Sequence, residues 1–99
     1  MLYQESPQSI AEKVNPVLKR YGVRRAILFG SYGKGTATEK SDIDMVVDSG
    51  LRGLRFVGLR TDLEDALDNR EVDLFDISHI VKDSTVEKEI KKTGVKIYG

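Results

Sequence analysis

Two groups of residues within one short stretch have the types and spacing to do chemistry. The segment "FGSYGKGTATEKSDIDMVVD", Phe29 to Asp48, places Gly30-Ser31 at the end of one apolar run and Asp42-Ile43-Asp44 at the start of the next. In a strand, residues two apart face the same side. The carboxylates of Asp42 and Asp44 would then stand side by side while Ile43 faces the core. Like charges that close resist joint ionisation unless a cation lies between them. Magnesium suits such a place, because it takes oxygen ligands, keeps several waters and shares substrate phosphates. A third acid, Asp73, sits between Val72 and Leu74 in "EVDLF". A lone acid in an apolar strand needs a reason. On a neighbouring strand it would join Asp42 and Asp44 and act as a base on an incoming hydroxyl. Glu71 shares its parity and is the reserve candidate. Asp48 and Asp76 read as surface acids at strand ends.

The glycine half of the stretch suits phosphate. Gly30 permits a positive φ and lets a ligand approach the backbone. A turn after it would aim free N–H groups outward, and these, with the Ser31 hydroxyl, make a cradle for phosphate oxygens. Gly33 and Gly35 keep the loop bare, and Lys34 adds a cation. The pattern is neither a Walker A loop nor a dinucleotide fingerprint. Glycines alone are ordinary turn residues. The weight comes from their conjunction with the acids.

These residues need a sheet to hold them. "SPQSIAEKVNPVLKRYG" predicts a helix, with Ser6 before Pro7 as a start signal, a Ser9/Glu12 capping-box spacing and an apolar stripe of Ile10, Val14, Val17, Leu18 and Tyr21. Pro16 predicts a kink or two helical pieces. "VRRAILFG" and "IDMVVD" read as strands, the first with the continuous apolar run of a buried strand. "LRFVGLRTDLEDALDN" follows as a second helical region, on Leu54, Val57, Leu59, Leu63 and Leu67. "EVDLFDI" is a third strand, "DSTVEKEIKKTG" a last helix capped by Asp83 or Ser84, and "VKIYG" a short closing strand. The order predicts an α/β (α+β) fold: a small mixed sheet of three to four strands with helices packed on it, as one domain over residues 1–99.

Composition narrows the function. Sixteen Lys+Arg balance sixteen Asp+Glu, so direct nucleic-acid binding is not supported by charge. There is no cysteine and one histidine, His79, which removes thiol nucleophiles, zinc thiolates and multi-histidine metal sites within one chain. No apolar stretch nears the ~20 residues of a membrane span, and the start lacks the pattern of a signal peptide. A cytoplasmic protein is expected. Arg52, Arg55 and Arg60 read as a solvated helix face, and Tyr32 as a loop aromatic that could stack on a base.

"LFGSYGKGTATEKSDIDMVV" resembles the signature of the DNA polymerase β-type nucleotidyltransferase superfamily, and within it the minimal nucleotidyltransferases. The family pattern is hydrophobic-Gly-Ser, a spacer, Asp-x-Asp and an acid on a later strand: here Gly30-Ser31, Asp42-Ile43-Asp44 and Asp73. The resemblance implies transfer of a nucleotidyl group, AMP from ATP, to a hydroxyl, with Mg2+, two ions in all. Gly30 and Ser31, with Lys34 and Ser41, would hold the nucleotide. Asp42, Asp44 and Asp73 would hold metal and be catalytic. Many minimal members carry Ala-Arg-Gly where this chain has Gly33-Lys34-Gly35. Lysine keeps the charge and loses the planar bidentate fork. The resemblance also implies a partner, a small helical HEPN-domain toxin whose tyrosine would accept the nucleotidyl group, so that this chain would be the antitoxin of a toxin–antitoxin pair in a homo- or hetero-oligomer. The alternative is a binding module that neutralises its partner by masking it. A metal-dependent phosphatase or nuclease would need further His and acid ligands that the sequence does not gather.

Overall fold

A computed structural model describes residues 6–30 and 42–99 of the chain. The first helix, α1 (Pro7–Arg20), begins on Ser6, whose hydroxyl accepts the Ser9 N–H at 3.1 Å. Ser6 is therefore the cap, with Pro7 in the first turn where a missing N–H costs nothing. A single helix runs through Pro16, so the two-piece alternative does not hold. Strand β1 (Arg25–Phe29) follows, then β2 (Ile43–Asp48), helix α2 (Leu54–Ala66), strand β3 (Val72–Asp76) with a 3-10 turn (Ile77–His79), helix α3 (Thr85–Thr93) and strand β4 (Val95–Tyr98).

The sheet order is β3-β2-β1-β4. β1 runs antiparallel to both β2 and β4, while β2 and β3 are parallel, joined through α2. The sheet is thus mixed and four-stranded, as the order of elements predicts. Strand alternation sorts the side chains. Ala26, Leu28, Ile43, Met45, Val47 and Val72 join Ile10, Val14, Leu18, Leu59 and Leu63 in one buried cluster between the sheet and the helices α1 and α2. The residues between them, Ile27, Phe29, Asp44, Val46, Asp73 and Phe75, point to the other face by parity. α3 packs over that face, with Ile90 and Ile27 lining a common apolar cavity of about 210 Å³.

The stripe expected on α2 is only half right. Leu59, Leu63 and Leu67 are buried, but Leu54 is 88% exposed and Val57 56%. The buried Leu59, Leu63 and Leu67, with the half-buried Phe56, make a stricter three-four-four spacing than one that includes Leu54 and Val57. α3 is capped by Ser84, which accepts the Glu87 N–H, while Glu87 accepts the Asp83 N–H in return. Ile97 and Tyr98 of β4 pack on the core. No helix among the described residues is long and apolar enough to cross a membrane.

Candidate active site

The register of the three inner strands decides which acids meet. Phe29 lies opposite Asp44 across the β1–β2 pair, and Asp44 lies beside Asp73 across the β2–β3 pair. Asp44 and Asp73 thus stand side by side near the starts of β2 and β3, on the face away from the main core, next to an apolar row of Ile27, Val46 and Phe75. The rings of Phe29 and Phe75 stand 5.9 Å apart on that same face. Asp44 is half-buried there. Burial first, then the charge of Asp73, then that of Asp42, push its carboxyl up to about 6, and a hydrogen bond with Asp73 adds to the shift. Asp42 stands exposed just before β2. Asp73 is half-buried on β3. The register therefore sets Asp44 beside Asp73, and Asp42 is near enough for its charge to act on Asp44. Glu71, the reserve, is exposed, and its backbone carbonyl accepts the Ile43 N–H.

Gly30 lies against Asp44 at the end of β1. Its φ is +70°, and a Cβ built on it would sit 2.5 Å from Asp44 Oδ2. Both facts require glycine, the first for backbone sterics and the second for space. The Gly30 N–H is not free to face a phosphate, since it donates to Thr93 Oγ1 at 2.9 Å. Any N–H cradle must come from residues after it. Ser31, Lys34 and Ser41, with Tyr32, lie outside the described residues.

Two clips hold the acids' strands. On α2, Arg60 Nε donates to the Val72 carbonyl at 3.0 Å and Glu64 Oε2 accepts the Val72 N–H at 2.9 Å. The start of edge strand β3 is thereby fixed one residue before Asp73. Arg60 is exposed, as a solvated face requires, and its Nε also serves as a clip. The i,i+4 spacing of Arg60 and Glu64 is the only hint of this in the sequence. Thr93, on α3, is the second clip, and nothing in the sequence marks it.

Asp76 is a correction. Read as a surface acid, it is in fact 5% exposed. Burial alone would raise its pKa. It is held instead at about 2, because it accepts hydrogen bonds from the side chains and backbone N–H groups of Ser78 and Ser49. Asp48 does lie at the surface end of its strand, paired with Arg24 at 3.0 Å.

Among the described residues no group of three or more His, Cys, Asp or Glu side chains is gathered tightly enough to hold a metal by itself. The donor set still fits a hard cation. Asp44 and Asp73 stand side by side with the Asp42 charge nearby. Magnesium needs only one or two carboxylates when phosphates and water supply the rest.

Comparison with known proteins agrees with this geometry. Residues 12–99 match the model of the family described as polymerase beta, nucleotidyltransferase. A Methanocaldococcus jannaschii protein whose name proposes protein adenylyltransferase activity is 40% identical over 73 residues, covering 72% of this chain and 77% of that one. A chain of a toxin–antitoxin complex crystallised with AMP-PNP superposes with a TM-score of 0.74 at 31% identity, over 90% of this chain and 73% of its own length. A complex of a tri-AMPylated Shewanella oneidensis HEPN toxin with its MNT antitoxin gives a TM-score of 0.68 at 28% identity, over 94% of this chain and 72% of the other.

Proposed function

The chain belongs to the polymerase β-type nucleotidyltransferase family, and from that premise we propose that it is an Mg2+-dependent adenylyltransferase, residues 1–99 acting as one minimal domain. In this reading it moves AMP from ATP to a tyrosine of a helical HEPN-type toxin and so serves as the antitoxin, in the cytoplasm. The observation that carries the reading is the Asp44–Asp73 adjacency with Gly30 seated against Asp44. The named relatives lend it direction, since one is described by its adenylyltransferase activity and another is complexed with an AMPylated toxin.

Asp42, Asp44 and Asp73 would hold magnesium, which when bound supplies neutralisation of phosphate charge. The turn beginning at Gly30 would seat the triphosphate, with Ser31, Lys34 and Ser41 as its other contacts. Asp73 would take the proton of the acceptor hydroxyl. The oxygen so freed forms a bond to the α-phosphorus, and the bond from that phosphorus to the bridging oxygen breaks. Pyrophosphate leaves with the electron pair. The residues contribute position and charge, not a covalent intermediate.

The test is incubation of the chain with labelled ATP, Mg2+ and the product of the adjacent gene. The expected result is label on a toxin tyrosine, lost with Asp44→Asn and on chelation of the metal. Neutralisation of the toxin without label, equally by wild type and Asp44→Asn, would replace this reading with masking.

A further inference from the structure

Among the described residues the buried polar side chains are Asp76 and Thr93. Asp76 is accounted for by its serines. Thr93 is 8% exposed, at the last position of α3. Its hydroxyl donates to the Glu89 carbonyl at 2.8 Å, the ordinary back-bond of a helical threonine. That bond uses the hydroxyl's proton and leaves its lone pairs. One of these accepts the Gly30 N–H, from a residue 63 positions earlier. Gly94 lets the contact happen, because a Cβ there would meet the Ile90 carbonyl oxygen at 2.4 Å and Ile27 Cγ2 at 3.0 Å. The end of α3 is thus pressed onto β1 over both Ile27 and Gly30.

We propose that Thr93 is a positioning residue for nucleotide binding: its hydroxyl holds the Gly30 peptide in the orientation that seats the glycine against Asp44. The inference rests on the adenylyltransferase reading above. Valine would fill the volume of threonine but leave a buried Gly30 N–H without an acceptor, which is costly enough to turn the peptide toward water. Serine keeps the acceptor. A displaced Gly30 peptide weakens contacts that ground state and transition state share, so KM for ATP should rise with little change in kcat. A merely structural loss would instead lower the active fraction, reducing apparent kcat at unchanged KM.

The experiment compares wild type, Thr93→Val and Thr93→Ser at pH 7.5. It reads the dissociation constant for Mg-ATP by calorimetry, KM and kcat for transfer, and hydrogen exchange of the Gly30 amide by NMR. Thr93→Val should weaken ATP binding and raise KM by about tenfold, with the Gly30 amide exchanging as an open one. Thr93→Ser should stay within about threefold of wild type, with that amide protected. ATP affinity of Thr93→Val equal to wild type, or a loss shared equally by Thr93→Ser, overturns the proposal while leaving the adenylyltransferase reading intact. A wild-type chain that binds no Mg-ATP overturns that reading, and this inference with it.

Discussion

Asp44 and Asp76 sit on adjacent parallel strands, one near the start of β2 and the other at the end of β3, and the fold treats them in opposite ways. Asp76 is the more deeply buried, yet it is held ionised, at about 2, by donors from Ser49 and Ser78. Asp44 is only half-buried, yet it is pushed up to about 6, by burial first and then by the charges of Asp73 and Asp42. Burial raises both groups. What separates them is the company each keeps. An acid supplied with its own N–H and O–H donors is finished structure. An acid set against other acids, with a glycine in front of it, is what the proposed cation site would require.

That contrast is broken most severely by removing Asp44. Asp44→Asn should lower nucleotidyl transfer on the order of a thousandfold, about 4 kcal/mol of barrier, measured with labelled ATP. It should not lower the melting temperature of the metal-free protein, because it removes a repelled charge. Asp76→Ala should do the reverse. Stranding the Ser49 and Ser78 donors should cost about 2–4 kcal/mol in urea denaturation, with activity per folded molecule changed only a few-fold. A catalytic collapse in Asp76→Ala at full stability would erase the distinction.

Glycine substitutions sharpen the comparison further. Gly22 has φ +72° with nothing within 4 Å of an added Cβ, whereas Gly30 has φ +70° with Asp44 Oδ2 at 2.5 Å. Gly22→Ala reports backbone strain alone, about 1 kcal/mol. Gly30→Ala should cost more in denaturation, about 2–3 kcal/mol, and should impair transfer as well. Equal costs at the two sites would mean that the approach to Asp44 carries no energy.

The smallest effect is the pH dependence. For Asp44 the folded value lies above the unfolded 3.8, at about 6, so folding favours its acid form. Its contribution to stability is complete below the unfolded value and is lost as pH rises through about 6. Asp76 is depressed to about 2, so its contribution is present above 3.8 and lost as pH falls toward 2. The difference in melting temperature between wild type and Asp44→Asn should therefore move against wild type from pH 5 to 7. The difference between wild type and Asp76→Ala should shrink only in strong acid.

The sequence announced one side of this contrast and concealed the other. Strand parity and the Gly-Ser and Asp-x-Asp spacing are local, so β1, β2, Gly30 and Asp44 could be read directly, and β3 lies parallel beside β2 with Asp73 next to Asp44; Asp42 instead lies just before β2, outside the strand whose parity would align it with Asp44. The element order and the mixed four-stranded sheet follow from the same periodicities. The concealed features depend on pairings that strand and helix periodicity do not report. Asp76 was misread because its partners come from the end of β2 and from a 3-10 turn. Thr93 reaches a residue 63 positions away. The Arg60–Glu64 clip is addressed to a strand eight to twelve residues on. Leu54 and Val57 were assigned to the buried stripe because two apolar residues near a helix start fit a loose period, and only packing chooses between phases.

The most direct test is titration of Mg2+ into the ATP-loaded chain by calorimetry at pH 7.5, for wild type, Asp44→Asn and Asp76→Asn. The prediction is binding by wild type and by Asp76→Asn with similar affinity, and its loss in Asp44→Asn. Undiminished Mg2+ binding by Asp44→Asn would contradict the claim that the paired acids of β2 and β3 are a metal site.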